Sequence, residues 1–495
     1  MGIIRRQSIK STVATYAGFL IGALNYYLLA RFLTKEEVGL TRILFNVCSL
    51  LSGLCALGSL AAFPRFYPYY REKEEASGKN ELLFWVTAVN LLGFMVILAL
   101  SLAFRHLIIR KFIGNSGLFI RYFYLVYPFT FLLVAYNLFE NFANNLHRTA
   151  LTSFLRETGM RLGVLVCIVL YLLHVVGFTG FISLFSLVYG AILLPLLIFL
   201  SIRKKLAMDA ARSDLTRTMA RRMTLYSGYI FSGSIFLLVS QNIDGIMIGS
   251  LRGLQYTAVF ELANYIAMVL IVPQRSIAAI ANPLIAQAWK EDDLSQISNL
   301  YRKSAMTQLI LGMGILGIIW INVDNIFHFL PAYQGGKYII LVLGIARLID
   351  LGTGLNYQIL VNSRIWRLDF FASIILVVGF IFLNYVLIKK YGMIGSAWST
   401  LAALTTYNLV RYLFIRWKFR LQPFSLLTLV ALGVGGVSWL VSSRVPAIHF
   451  VLLDMVLRTA VFVLIFAAGV LGLRLSEDIS QTWKNILSRV RGATR

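Results

Sequence analysis

The sequence predicts an all-α, polytopic membrane protein with about fourteen membrane-spanning helices. The chain has 495 residues, of which 59% are hydrophobic and only 14% charged, and its mean hydropathy is +0.77. Its apolar runs repeatedly reach the roughly 20 residues that a helix needs to cross the hydrocarbon of a bilayer. We expect helices because a chain inside the membrane must close its own backbone hydrogen bonds.

The predicted spans follow the apolar runs in order. The first run is expected to remain a span, because it is long and lacks the small-residue cleavage site of a signal peptide. The tenth contains two charged residues, Arg347 and Asp350. The spans run 12–32, 42–63, 82–104, 118–141, 151–173, 179–202, 224–249, 257–285, 304–323, 338–361, 368–388, 394–415, 424–442 and 453–473.

The net charge of +25 is concentrated in the short loops between these runs. That pattern favours orientation in the membrane and contact with anionic lipids over nucleic-acid binding. Most basic residues fall on one side if both termini are cytoplasmic, which predicts that orientation. The loop 105–121 departs from this charge bias, because it places four basic residues on the predicted outer side.

The chain also matches itself weakly at an offset of six predicted spans. Three pairs of segments fall at equivalent span boundaries, namely 28–33 with 247–252, 62–64 with 281–283, and 177–180 with 392–395. An even number of spans keeps the orientation, so the two halves are predicted to be parallel repeats with a substrate site between them.

The repeat predicts two six-helix lobes followed by two C-terminal helices. Between the lobes we expect a basic amphipathic surface helix on the cytoplasmic side. The predicted divisions are an N-lobe at 1–202, the linker helix at 203–223, a C-lobe at 224–420, spans thirteen and fourteen at 421–475, and a basic cytoplasmic tail at 476–495.

Four segments carry a family resemblance. They are the turn 29–40, the segment 244–249 followed by Tyr256 and Phe260, the prolines Pro273 and Pro283, and the opening of span twelve at 391–397. With these motifs the chain resembles the multidrug/oligosaccharidyl-lipid/polysaccharide (MOP) exporter superfamily, in its polysaccharide-biosynthesis flippase branch.

The resemblance implies a monomeric protein of the bacterial inner membrane that works by alternating access. It implies a V-shaped cavity between the lobes and, as substrate, an undecaprenyl-diphosphate-linked oligosaccharide such as an O-antigen, capsule or exopolysaccharide repeat unit. Glycan polymerases or glycosyltransferases would be its partners. The alternative is a cation-coupled exporter of small molecules, which would need an acidic cavity.

Arg275 is the leading substrate-binding candidate. An ionised guanidinium at bilayer depth costs about 2.5–3.5 kcal/mol, so it must face protein, water or an anion. A planar guanidinium binds phosphate oxygens in bidentate fashion, and the nearby Pro273 can kink the helix. The alternatives are an ion pair with a buried carboxylate such as Asp244, or snorkelling to the surface.

Three further arginines are candidates for contact with the substrate. Arg31 and Arg42 flank the first outer turn, where they are interfacial anchors or cavity residues. Arg65 follows Pro64 at the expected inner end of span two, where it could meet the headgroup at entry.

A polar strip near the end of span four suggests sugar contacts. Glu140 lies there with Asn144, and amides recur at helical spacing, so the strip is expected to face the cavity. Its other members are Asn137, Asn141 and Asn145.

Asp244 and its neighbour Asn242 form a second kind of candidate, a coupling or gate site. An intramembrane carboxylate beside an amide could bind Na⁺ or carry a proton. The competing interpretation is an ion pair that holds the outer gate. No other cofactor is expected.

Three charge pairs at helical spacing are interpreted as structural. Two are expected to neutralise themselves within spans ten and fourteen, and the third opens span five. They are Arg347 with Asp350, Asp454 with Arg458, and Glu157 with Arg161.

The sequence lacks the signs of an enzyme. There is no phosphate-binding Walker loop, and the five histidines are scattered, so neither ATP hydrolysis nor a metal site is predicted. The three cysteines lie inside apolar runs, which is typical of core residues. We therefore expect a transporter.

Overall fold

The computed structural model describes the backbone of residues 2–146, 148–203, 205–210 and 212–481. Within these ranges the chain is helical and contains no strand. The all-α prediction is thus confirmed. Most of the predicted basic tail, residues 482–495, lies outside the described residues.

The chain divides into two compact units, Met1–Ala258 and Val259–Arg495. The predicted six-helix lobes stay a prediction. In the first unit the helices are α1 (Gly2–Phe32), α2 (Lys35–Cys55), α3 (Ser59–Ser77), α4 (Glu81–Ala103), α5 (Arg105–Phe112), α6 (Gly117–Arg121), α7 (Val126–Asn145), α8 (Thr149–Ser153), α9 (Met160–Leu172), α10 (Phe178–Ile202) and α11 (Asp214–Leu251).

Helix α12 (Leu254–Ala267) crosses the division between the units. The helices of the second unit are α13 (Ile271–Lys290), α14 (Leu294–Ile321), α15 (Val323–Phe329), α16 (Lys337–Gly352), α17 (Asn356–Val361), α18 (Trp366–Tyr391), α19 (Met393–Phe419), α20 (Leu426–Ser443) and α21 (Val451–Gly472).

The helices identify a multi-pass membrane protein. Among the described residues, nine helices are long and apolar enough to cross a bilayer, and the apolar part of α1, Ala17–Phe32, is shorter. Each predicted span falls largely on helical chain, and spans two and ten are each interrupted by a turn. The exact count of fourteen spans stays a prediction.

Span two is shorter than its apolar run. Helix α2 ends at Cys55, and the chain turns at Leu57 and Gly58, whose φ angles of 47° and 76° are left-handed. A Cβ atom at Gly58 would collide with the backbone oxygen of Ser227. The run predicted as one span, 42–63, is therefore divided, and Arg65 lies on the separate helix α3.

The predicted linker helix at 203–223 is wrong for its first half. Residues 205–210, 212 and 213 are not helical, and the rest of the segment is the first turns of the long helix α11. Asn80 forms an isolated parallel bridge with Met208, so its backbone competes with helix formation here. We call residues 205–213 the strap.

Two buried carboxylates bind the strap to helices α3 and α4 of the same unit. Glu74 accepts hydrogen bonds from Tyr67 Oη at 2.8 Å, Asn80 Nδ2 at 3.0 Å and Lys205 Nζ at 3.1 Å. Glu81 accepts one from the backbone N–H of Ser213 at 2.8 Å. Such saturation satisfies groups that would otherwise be costly to bury.

Candidate functional site

Arg275 lies near the start of α13, just after a break in the helix. A 3₁₀ turn, Met268–Leu270, separates α12 from α13. Pro273 is the third residue of α13, where a helix has no internal acceptor for the backbone N–H, so its ring fits there at little cost. The irregularity predicted at Pro273 is the 3₁₀ turn that precedes it.

The side chain of Arg275 is exposed and lies on the open face of α13. The opposite face packs Ala281, Ile285 and Ala288 into a hydrophobic cluster of the second unit. Asn282, seven residues after Arg275, shares the open face, as expected from a period of 3.6 residues. Within the described part of the second unit, Arg275 forms no hydrogen bond or ion pair.

Asn282 is in turn fixed by a neighbouring helix. The amide of Asn362, just after α17, donates from Nδ2 to Asn282 Oδ1 at 3.0 Å. The open face of α13 thus presents a cationic side chain and an oriented amide in one row. The cationic side chain can bind an anionic group of a ligand while the amide binds a polar group beside it.

The predicted pair of Arg347 with Asp350 is wrong. Asp350 instead accepts from Gln274 Nε2 at 3.2 Å and from Asn408 Nδ2 at 2.9 Å. Helices α13 and α19 bring these amides to the carboxylate, and their donors replace the guanidinium. Gln274, the residue before Arg275, is thereby hydrogen-bonded to α16.

The predicted pair of Asp454 with Arg458 is confirmed. Arg458 Nε lies 2.8 Å from Asp454 Oδ2, one helical turn away. Asp454 also accepts from Asn325 Nδ2 at 2.6 Å and from the backbone N–H of Ile448 at 3.0 Å. Its surroundings mark it as a structural group at the start of α21.

In the first unit, Glu140 on α7 pairs with a residue that the sequence did not suggest. Arg156 Nη1 lies 2.7 Å from Glu140 Oε2. Arg156 belongs to a π-helical turn, Phe154–Gly159, between α8 and α9. The Glu140 side chain is 8% exposed and that of Arg156 is 50% exposed, so the pair is buried at its acidic end and open at its basic end. The predicted Glu157–Arg161 pair, at 2.8 Å, is confirmed.

The asparagine strip beside Glu140 is mostly used for packing. Asn137 Nδ2 donates to Ser52 Oγ, and Asn141 Nδ2 donates to the backbone oxygen of Leu60, both at 3.0 Å. Asn144 is exposed, and its Oδ1 accepts from Thr152 Oγ1 at 2.6 Å. Asn144 and Arg156 are thus the open members of a row that runs between α7 and the π-helical turn.

The other candidate arginines are spread over the first unit. Arg42 stacks on Tyr26 at 3.7 Å from the ring centroid, with its Nε buried and without a hydrogen bond. Arg65 is exposed and stacks on Tyr226 at 4.1 Å. Arg31 is exposed at the end of α1. Their roles in substrate contact stay predictions.

The coupling candidates lie near the end of α11. Asn242 is buried, and its Nδ2 donates to the backbone oxygen of Leu238 at 2.8 Å. Asp244 is partly buried. Its predicted roles in coupling, in gating or in an ion pair with Arg275 stay predictions. Among the described residues no group of His, Cys, Asp and Glu could hold a metal ion.

A buried ion pair that the sequence did not suggest joins α18 to α19. Arg411 donates from Nε and Nη2 to the two carboxylate oxygens of Asp369, at 2.7 and 3.2 Å. The guanidinium also stacks on Tyr357 and Tyr407. The only sequence signal was Tyr407 one turn before Arg411, because the two charges are too far apart in the chain for helical spacing to relate them.

Comparisons with known proteins agree with this architecture. The family model described as "Polysaccharide biosynthesis protein" matches residues 4–289, and the MatE model matches 230–386. A comparison with curated proteins found no match.

Among solved structures, the lipid II flippase MurJ in an inward closed conformation is similar, with a TM-score of 0.70 at 15% identity; the match covers 93% of this chain and 98% of that one. An inward-facing multidrug resistance MATE family transporter of the MOP superfamily gives 0.60 at 16% identity, over 83% and 94%. A MOP superfamily transporter from Pyrococcus furiosus gives 0.54 at 14%, over 84% and 95%.

At these identities the structural similarity shows the fold, and the family model covers more than half of the chain. The chain therefore belongs to the polysaccharide biosynthesis protein family and has the fold of the MOP exporter superfamily.

Proposed function

We propose that this protein is a flippase that moves an undecaprenyl-diphosphate-linked oligosaccharide across the bacterial inner membrane by alternating access, with both termini in the cytoplasm. Membership of the polysaccharide biosynthesis family and the fold shared with a lipid II flippase support the proposal. The observation that carries it is the exposed guanidinium of Arg275 on an apolar helix, which no described side chain of the second unit neutralises.

The chemistry of Arg275 suits a diphosphate. A membrane helix retains an ionised side chain when a partner compensates for its desolvation. Within the second unit no described side chain neutralises Arg275, while its neighbour Gln274 is bound to Asp350. A diphosphate ester would supply two negative charges and several acceptors for the planar guanidinium fork.

The row formed by Asn144, Glu140 and Arg156 suits the glycan. The ion pair carries no net charge, and its basic end is open. Together with the exposed amide of Asn144, this row offers donors and acceptors of the kind that bind sugar hydroxyls. We assign glycan contact to this row and diphosphate contact to Arg275. Arg65, Arg31 and Arg42 are further candidates for headgroup contact.

The membrane potential can contribute to export. Two negative charges that move outward across 100 mV, negative inside, gain about 4–5 kcal/mol from the field. Inward movement of Na⁺ or H⁺ would reset the carrier, and we assign that coupling to Asp244 with Asn242.

A second candidate is cation-coupled export of small molecules, as in MATE transporters. The match of the MatE model to residues 230–386 favours it. The open arginine in the same stretch argues against cationic substrates, because like charges repel.

Mass spectrometry of the lipids that co-purify with the protein tests the proposal. We expect a polyprenyl-diphosphate glycan to accompany the parent protein and the variant Arg416→Ala, in which an exposed arginine at the end of α19 is removed. We expect Arg275→Ala to lose it. Equal recovery from Arg275→Ala, or recovery of no such lipid from the parent, would contradict the proposal.

A further inference from the structure

The segment 104–121 lies at a membrane surface. It joins two helices that are both long and apolar enough to span a bilayer, Glu81–Ala103 and Phe123–Asn145. A single residue, Phe104, separates the end of α4 from the start of α5. Because the chain leaves one spanning helix and enters the next within this segment, α5 and α6 must lie close to the boundary between hydrocarbon and water.

This surface is basic and carries no acidic residue. The segment contains no Asp or Glu, and its four arginine and lysine side chains are Arg105, Arg110, Lys111 and Arg121. All four are exposed. The segment therefore contributes four positive charges and no negative one.

Apolar side chains are interleaved with these charges on α5 and at its two ends. Phe104, Leu107 and Ile113 are each more than half exposed. Leu107 lies between Arg110 and Lys111 on the helix surface, since residues three and four apart are neighbours. An exposed apolar side chain flanked by long cationic ones is typical of a helix in the interfacial plane, where the cations reach toward headgroups.

The opposite side of α5 is anchored to the first unit. Phe112 is buried and packs against Phe119 at a centroid distance of 5.0 Å. After α5, Ser116 Oγ donates to the backbone oxygen of Gly249 at 2.6 Å, and Asn115 Nδ2 donates to that of Ser250 at 3.0 Å. These bonds to the end of α11 hold α5 in place, so that its charges face outward.

We propose that the surface of residues 104–121 binds the anionic headgroups of phospholipids in the surrounding bilayer. The apolar residues enter the upper acyl region while Arg105, Arg110 and Lys111 contact phosphate. Bound headgroups also account for a basic loop that departs from the charge bias of the remaining loops. The proposal is independent of which molecule the protein transports.

A fluorophore on Leu107→Cys tests this in the full-length protein reconstituted in vesicles. The three native cysteines are buried, so an exposed cysteine can be labelled selectively in the folded protein. Quenching is compared between trace phosphatidylglycerol and trace phosphatidylcholine, each with a nitroxide at the top of the acyl chain. We expect phosphatidylglycerol to quench about twofold more strongly, and high salt to remove the difference.

The matched control is Leu294→Cys. Leu294 is an exposed leucine at the start of α14, but the residues before it are Glu291, Asp292 and Asp293. Phosphatidylglycerol should not be preferred there. In Leu107→Cys combined with Arg110→Gln and Lys111→Gln, the two lipids should quench equally.

Three results would overturn the proposal. The first is equal quenching by the two lipids at residue 107 in the otherwise native protein. The second is a preference that survives the loss of Arg110 and Lys111. The third is a preference for added polyprenyl diphosphate without one for phosphatidylglycerol, which would assign the surface to the transported lipid instead.

Discussion

Glu140 and Arg156 form an ion pair of 2.7 Å between helix α7 and the π-helical turn before α9. The carboxylate is buried and the guanidinium is half exposed, so the pair ties two helices together and still presents donors to the exterior. π-Helical turns are frequent at functional sites. Here the turn contains Arg156, one of the two open members of the proposed glycan row.

Arg156→Gln is predicted to destabilise the protein. It leaves the buried Glu140 carboxylate without its main partner, which costs about 1–3 kcal/mol for an unsatisfied buried group. Glu140→Gln in the same chain should restore part of the loss. The apparent unfolding temperature in detergent measures both changes.

The control for this pair is Arg217→Gln. Arg217 forms an ion pair of 3.6 Å with Asp214, and both side chains are exposed, so little stability depends on them. A loss in Arg217→Gln as large as that in Arg156→Gln would contradict the assigned role of burial.

Gly58→Ala is predicted to be more damaging than Gly78→Ala. Both glycines have a left-handed φ, 76° and 68°, so an alanine is strained at either position. Only at Gly58 would the added Cβ meet a backbone oxygen, that of Ser227; at Gly78 nothing lies within 4 Å. The yield of monodisperse protein and its unfolding temperature compare the two variants.

The difference in unfolding temperature between the two glycine variants measures the effect of the close contact with Ser227, because the strain of a left-handed φ is present in both. Equal losses in both would show that backbone conformation alone determines the effect.

Glu74→Ala is predicted to release the strap. Glu74 accepts three hydrogen bonds, including one from Lys205, and its loss leaves the strap with fewer contacts. Local opening should therefore become more frequent, and tryptic cleavage after Lys205 should be faster by at least about threefold. The initial rate of cleavage in detergent is the measurement.

Glu72→Ala is the matched control, because Glu72 lies on the same helix and is exposed. Its cleavage rate should equal that of the parent. An unchanged rate in Glu74→Ala would mean that the backbone bridge of Asn80 with Met208 holds the strap without the carboxylate.

Side-chain pairs within one helix are predicted from the sequence more successfully than pairs between two helices. The four-residue spacing of Glu157 with Arg161 and of Asp454 with Arg458 correctly predicts both pairs, because such residues are neighbours on any α-helix. Apolar run length likewise predicts the helices and the membrane class.

Partners on other helices are not encoded by spacing. Asp350 binds amides from α13 and α19 and not Arg347, and the partner of Glu140 lies on the π-helical turn. The prediction of a linker helix is wrong for a related reason. The backbone of Asn80, which is far away in the sequence, pairs with Met208 of the strap. Amphipathic periodicity carries no information about such a distant partner. Arg275 is exposed on α13, and this agrees with the expectation that a costly ionised side chain in a membrane helix faces water, protein or an anion.

Translocation by Arg275→Ala in reconstituted vesicles tests the central claim most directly. The measured quantity is the initial rate at which a polyprenyl-diphosphate oligosaccharide in the inner leaflet becomes accessible to an impermeant lectin outside. We predict a loss of at least tenfold, equivalent to about 1.4 kcal/mol in the barrier, partial activity in Arg275→Lys, and the parent rate in Arg416→Ala. A rate in Arg275→Ala equal to that of the parent would contradict the account.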